Sequence, residues 1–253
     1  MAQAVHGSPI QEVEGETKAL STTAGYLALL PLFQEVKLYC ATQWRLALSP
    51  RLAAVSYYNA AAGTFTHYTA QAIDRVSTTH VPLDAMAVAD MLYLGFTEPA
   101  LGAYFTIDGT NKNAEAATLD VEYCSTAQVL NGSQIVTAIA FTDVAGDSDG
   151  TATTGATLNV SGVYTWTLPT ALKRSPLLGI TTEQLYWFRF KPSAILSATV
   201  DIIEIIPVYR NANYAYMEPG VEYQFALNLA KVGGFVVLAT AGTPTLDVGW
   251  VKH

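Results

Sequence analysis

The stretch from residue 91 to residue 207 most constrains what this chain can fold into, because turn signals cut it into short β-forming pieces. MLYLGF (91–96), LGAYFTI (101–107), TLDVEYC (118–124), QIVTAIAF (134–141), VYTWTL (163–168), LYWFRFK (185–191) and SATVDIIEII (197–206) are separated by turns such as DGTNKN, NGS, AGDSDG and SGV. β-Branched and aromatic residues suit a pleated, half-buried surface, while Gly, Asn and Asp supply turn conformations. TLDVEYC alternates, so Leu119, Val121 and Tyr123 are expected to face a core and Asp120 and Glu122 to face water. In SATVDIIEII the same period puts Val200, Ile202 and Glu204 on one face and Asp201, Ile203 and Ile205 on the other. Nothing shows the strand–helix rhythm of an α/β fold. The pattern predicts an all-β chain, an antiparallel jelly-roll-like β-sandwich over 91–207.

The flanks read differently. Residues 1–35 form an N-terminal extended arm in this reading, polar over 1–24, with only Val5, Ile10, Val13 and Leu20 as sizeable apolar groups there. Ordering a residue costs about 1–2 kcal/mol of backbone entropy. Four apolar side chains do not offset that alone, so residues 1–24 are expected to tether to a neighbouring subunit and to lie outside the fold. Those four are interface candidates. Residues 36–90 hold short strands (VKLYC, LAAVSYY, TFTHY) and a connecting loop with one helical turn after Pro82. Residues 208–253 hold VEYQFAL, GFVVLAT and TLDVGWV, a small C-terminal β-meander expected to pack on the sandwich or on a partner.

Composition narrows the function. Of 253 residues, 51% are apolar and only 13% charged, about half the usual charged share. A charge-poor exterior points to burial against other chains. With 21 acidic against 13 basic residues the net charge is −8, and the scattered bases do not suit a nucleic-acid partner. The first twenty residues hold three glutamates and no apolar core of a secretory signal. The apolar run Tyr26–Phe33 is broken by Pro31 and is too short to span a bilayer, so no membrane partner is expected. Cys40 and Cys124 read as buried free thiols.

No catalytic set emerges. His6, His67, His80 and His253 lack ligand spacing, and neither a G-x-S-x-G elbow nor a glycine-rich phosphate loop occurs. The chain reads as a non-enzyme without cofactor. DVAGDSDGT (143–151) gathers Asp143, Asp147 and Asp149, oxygen ligands of the kind calcium accepts, but no glutamate closes the loop and a hydrated turn is the simpler reading. Trp166, Tyr186, Trp187, Phe188 and Trp250 could form a sugar-binding platform. Strand alternation sets Tyr186 and Phe188 against Trp187, which instead fits a core on one face and a protein interface on the other. These three join the interface candidates.

YLGFTEPALGAYFTID (93–108), TLDVEYC (118–124), GATLNVSGVYTWTLP (155–169), LYWFRFKPSAILSATVDI (185–202) and YAYMEPGVEYQFAL (214–227) carry a resemblance. Over residues 90–253 the chain resembles β-sandwich modules of tailed-bacteriophage virion structural proteins, those of head-decoration and tail-associated type. The resemblance rests on aromatics, glycines and turns and brings no catalytic residue with it. It implies a capsid decoration or cement protein, made in the host cytoplasm and bound to the outer capsid surface. Its partners would be the major capsid protein or other virion proteins and further copies of itself, as a trimer. A tail or neck component (adaptor or baseplate-associated) is the alternative within that class. A carbohydrate-binding module reaching host glycans through Trp187 or Trp166 is the alternative outside it.

Overall fold

The computed structural model describes residues 12–20, 25–28, 35–74, 76, 78–131, 134–208, 215–226 and 232–252, and these contain strands and turns but no helix. All paired strands run antiparallel, as the turn-cut sequence predicts. The helical turn expected after Pro82 is instead two successive turns, closed by Met86 N–H to Leu83 O and Asp90 N–H to Ala87 O. The chain divides into two compact units. A flanking unit is built from residues 1–48 and 211–253, and an inserted unit from 49–210.

The flanking unit contains β1 (Glu12–Ala19), β2 (Gly25–Ala28), β3 (Glu35–Cys40), β4 (Trp44–Pro50), β19 (Ala215–Met217), β20 (Glu222–Ala226), β21 (Val232–Ala239) and β22 (Thr245–Lys252). They form two four-stranded sheets, β1-β22-β3-β20 and β19-β4-β21-β2. Counted one to eight along this unit, the orders are 1-8-3-6 and 5-4-7-2. Every neighbouring pair joins a strand from before the insertion to one from after it. Leu20, Val36, Leu38, Trp44, Val237, Leu246 and Val248 share one buried core.

Two expectations change here. The three C-terminal segments are strands but not a meander: β20 and β22 flank β3, and β21 sits in the other sheet. Residues 12–20 of the expected arm belong to the fold, because β1 pairs with β22 from Glu12↔Lys252 to Ala19↔Thr245. Leu20 is buried, and its N–H donates to Pro244 O at 2.8 Å. The polar composition is no obstacle, since the backbone pairing comes from a strand more than two hundred residues away in sequence. Val13 lies on β1 opposite Val251; Val5 and Ile10 lie outside the described residues.

The inserted unit contains β5 (Leu52–Asn59), β6 (Thr64–His67), β7 (Val81–Pro82), β8 (Met91–Phe96), β9 (Gly102–Ile107), β10 (Leu119–Thr126) and β11 (Val129–Asn131). It continues through β12 (Gln134–Thr137), β13 (Ala140–Asp143), β14 (Ala145–Asp149), β15 (Gly162–Thr167), β16 (Arg174–Leu177), β17 (Thr181–Pro192) and β18 (Asp201–Val208). A seven-stranded sheet runs β13-β10-β17-β8-β5-β6, with β16 also on β17, and a five-stranded sheet runs β14-β15-β9-β18-β7. β11 and β12 form a separate two-stranded ribbon. The boundary expected between residues 90 and 91 is absent, since β5 pairs with β8 across it.

The sandwich core lies between the two sheets. Leu94, Phe96, Phe188 and Phe190 come from one side and Phe105, Tyr164, Trp166, Ile202 and Ile205 from the other. Trp166 stacks on Phe188 with ring centres 4.5 Å apart, and Phe105 meets Phe190 edge-on at 5.6 Å. Ile202 and Ile205 share this core although the simple period opposes them. Between Ile202↔Ile107 and Glu204↔Thr106 the register shifts by one, and this bulge at Ile203 reverses the alternation.

The larger sheet is apolar on its far face too, where Tyr93, Cys124, Leu177, Leu185 and Trp187 bury one another under Phe65, Phe141 and Ile180. Gly95 is required here: a Cβ on it would sit 2.8 Å from both Leu185 and Trp187 side chains. Both cysteines are buried free thiols, Cys40 in the flanking unit and Cys124 in the inserted one. Burial pushes the Cys124 thiol up to about 11, against a weaker opposing hydrogen bond to Thr126 O. The native chain is therefore expected to resist a thiol reagent at about pH 8 and to react at both positions once unfolded. Rapid labelling of Cys124 in the native state would contradict this burial.

Candidate interaction surface

The three aspartates chosen for a metal are divided between sheets. Asp143 is on β13, opposite Glu122 of β10, whereas Asp147 and Asp149 are on β14. The chain changes sheet at Val144, whose N–H donates to Val121 O at 2.9 Å. Asp149 accepts Thr151 N–H at 2.8 Å and the hydroxyls of Thr151 and Thr157, each at 2.6 Å. Asp147 lies 2.6 Å from the Tyr164 hydroxyl, which is also 2.7 Å from Leu119 O and donates to one of them at a time. The segment is thus two edge strands bridging two sheets rather than a hydrated turn. No group of three metal-ligating side chains gathers among the described residues. Burial first, then the Asp147 carboxylate, raises the Tyr164 pKa well above its ordinary value. Tyr164→Phe is expected to cost about 1–3 kcal/mol by denaturant melt, because a buried carbonyl loses its donor. An unchanged midpoint would deny the hydroxyl that role.

Three of the aromatic candidates, Trp166, Trp187 and Phe188, are buried in the inserted unit; the side chain of Trp250, on β22, lies outside the described residues. Phe188 is in the sandwich core, and Trp187 is fully buried on the opposite face with its indole N–H donating to Ser175 O at 2.8 Å. Tyr186 is half-buried, with the Arg174 guanidinium 5.5 Å above its ring. Trp166 is buried as well, its N–H donating to Ala100 O at 2.9 Å. β17 is therefore an aromatic strand because one of its faces lies in the sandwich core and the other in an apolar cluster formed by neighbouring side chains of the same sheet. Neither Trp166 nor Trp187 offers an exposed platform to a sugar.

Glu122, expected to face water, is buried. It accepts hydrogen bonds from Arg189 Nε and, at 2.7 Å, from Lys191 Nζ. The Arg189 guanidinium also lies 4.4 Å over the Phe141 ring. Burial by itself would raise the Glu122 pKa, but the two cationic donors outweigh it and hold the carboxyl below its usual value. Two histidine contacts stand apart from this cluster. Ser56 Oγ is 2.8 Å from His67 Nδ1, but Ser56 is fully buried and presents no reachable nucleophile. His80 Nε2 is 3.1 Å from Asp201 Oδ1.

The exposed apolar groups concentrate elsewhere. On the ribbon, Val129 is 49% exposed, Ile135 48% and Val136 65%, and Leu178 beside it is 41% exposed. Val129 pairs with Thr137 and Leu130 with Ile135, leaving Val136 as the extra residue of a bulge. Ile135 and the bulged Val136 are both exposed, whereas Leu130 and Thr137 are half-buried. The base of the ribbon is fixed: Gln128 N–H donates to Ser175 Oγ at 2.8 Å, and the Gln128 side-chain oxygen accepts Leu178 N–H at 2.9 Å. Reading QIVTAIAF as one strand concealed this surface, because the chain leaves the ribbon at Ala138–Ile139 and enters β13. The available signal was an Ile-Val pair after Asn-Gly-Ser with no charge nearby.

Compared with family models, curated proteins and solved structures, the chain matches none of them.

Proposed function

We propose that this chain is a non-enzymatic structural subunit of a tailed-phage virion, a decoration or cement protein that binds the outer shell. In this reading the flanking unit is a jelly roll, and the inserted unit is a second sandwich carried between its fourth and fifth strands. The observation that carries the proposal is the order 1-8-3-6 and 5-4-7-2, the strand order of an eight-stranded double Greek key. That architecture is common to viral shell domains and lectins. The enclosed Trp166 and Trp187 favour the shell over the lectin. The sparse charge and the uncovered ribbon favour a protein that works by contact with other chains, further copies of itself included.

Gold-labelled antibody against the chain, applied to virions of the phage that encodes it, tests this. Label distributed over the whole head is expected. Label confined to the neck or tail would favour the adaptor reading instead, and unlabelled virions that contain none of the chain by mass spectrometry would overturn both.

A further inference from the structure

We propose that the β11–β12 ribbon, with Leu178 at its base, is the surface through which one copy of this chain binds a second copy. The ribbon is built for contact. Val129, Ile135 and Val136 are 48–65% exposed on a two-stranded element that has too little core to be stable in water alone, and Leu178, in the turn after β16, is 41% exposed. Gln128 nevertheless anchors the ribbon to the β16 turn from both its backbone and its side chain, so the ribbon is held in position without being covered.

Charge identifies the occupant. The chain carries a net −8, yet no Asp, Glu, Lys or Arg occurs from Ser125 to Thr142. A basic partner would be drawn to the acidic remainder of the surface and would gain nothing from a neutral patch. A second copy, itself net acidic, is repelled by that remainder and can approach here, where the ribbon carries no charge and the exposed Lys173 and Arg174 stand beside its base. The bulge at Val136 turns the ladder there, so the contact is made by apolar side chains rather than by a continuous sheet. This inference concerns the free chain and stands whether or not the chain is a virion subunit.

Sedimentation velocity of the purified full chain tests it, with no particle present. The wild type is expected to self-associate. Val136→Lys and Val136→Glu are each expected to weaken that association about tenfold or more, by placing a charge in the apolar contact. Mixing the two variants is expected to restore it, because opposite charges then meet across the interface. Val136 is exposed, so circular dichroism should show both variants folded. A dimer supports two ribbons facing each other and a trimer supports three around one axis. A strictly monomeric wild type, association indifferent to both charges, or a mixture no tighter than either variant alone would each overturn the assignment.

Discussion

Deletion of residues 1–20 is expected to unfold the flanking unit while the inserted unit remains folded. The deletion removes β1 and with it the whole Glu12–Ala19 pairing along β22, and it removes Leu20 from the core. Burying one leucine contributes roughly 1.5–3 kcal/mol. The eight-residue ladder and the protection of β22 are lost as well. Against a total stability of about 5–15 kcal/mol for a domain, that is a disabling loss. Calorimetry of the full chain should resolve two transitions, and the truncated chain should keep only that of the inserted unit. If both transitions survived at their original temperatures, β1 would be dispensable and the tethering role expected from composition would regain its basis.

Arg189→Ala is expected to be the most damaging single substitution in the inserted unit's charged cluster, at about 2–4 kcal/mol. Removing one partner of a buried pair strands the other charge, and Lys191 compensates only in part for Glu122. Replacing both partners, as in Glu122→Gln with Arg189→Met, should recover much of the loss. The pH dependence has a definite sign. The folded pKa of Glu122 is lowered, so its stabilising contribution is complete above the unfolded value of about 4.3 and is lost as pH falls through the lower folded value. The acid limb of the inserted unit's stability profile should therefore flatten in Glu122→Gln. An acid limb identical to wild type would remove Glu122 from the cause.

The strands of the inserted unit were legible because alternation and turn chemistry are local. TLDVEYC and VYTWTL match β10 and β15 to within two residues at each end, and LYWFRFK lies within β17. What sits beside what was not legible: β1 and β22 come from opposite ends of the sequence, and no local period encodes their pairing. The alternation argument also assumes that one face of a strand is wet. That assumption failed for Glu122, which is buried on the second face of the larger sheet between Arg189 and Lys191, and the interface expected around Trp187 is instead an apolar cluster of the sheet's own side chains. The exposed ribbon residues went unread for the opposite reason. A bulge and a change of sheet interrupt QIVTAIAF, and neither is announced by a glycine or proline within it.

The interleaved order of the flanking unit gives its assembly a clock. At a ribosome's pace of about 5–20 residues per second, β1 to β4 wait roughly 10–40 s, while about 200 further residues are made, before β22 exists to join them. The inserted unit can mature in that interval, since all its pairings are internal. The waiting segments are exposed to pairing with other nascent chains, and in β1 the alternate glutamates Glu12, Glu14 and Glu16 are charges of the kind that oppose it. A product interrupted anywhere before β22 can display a finished inserted unit and still lack a closed flanking one. The topology thereby makes translation through β22 a condition for that unit to close.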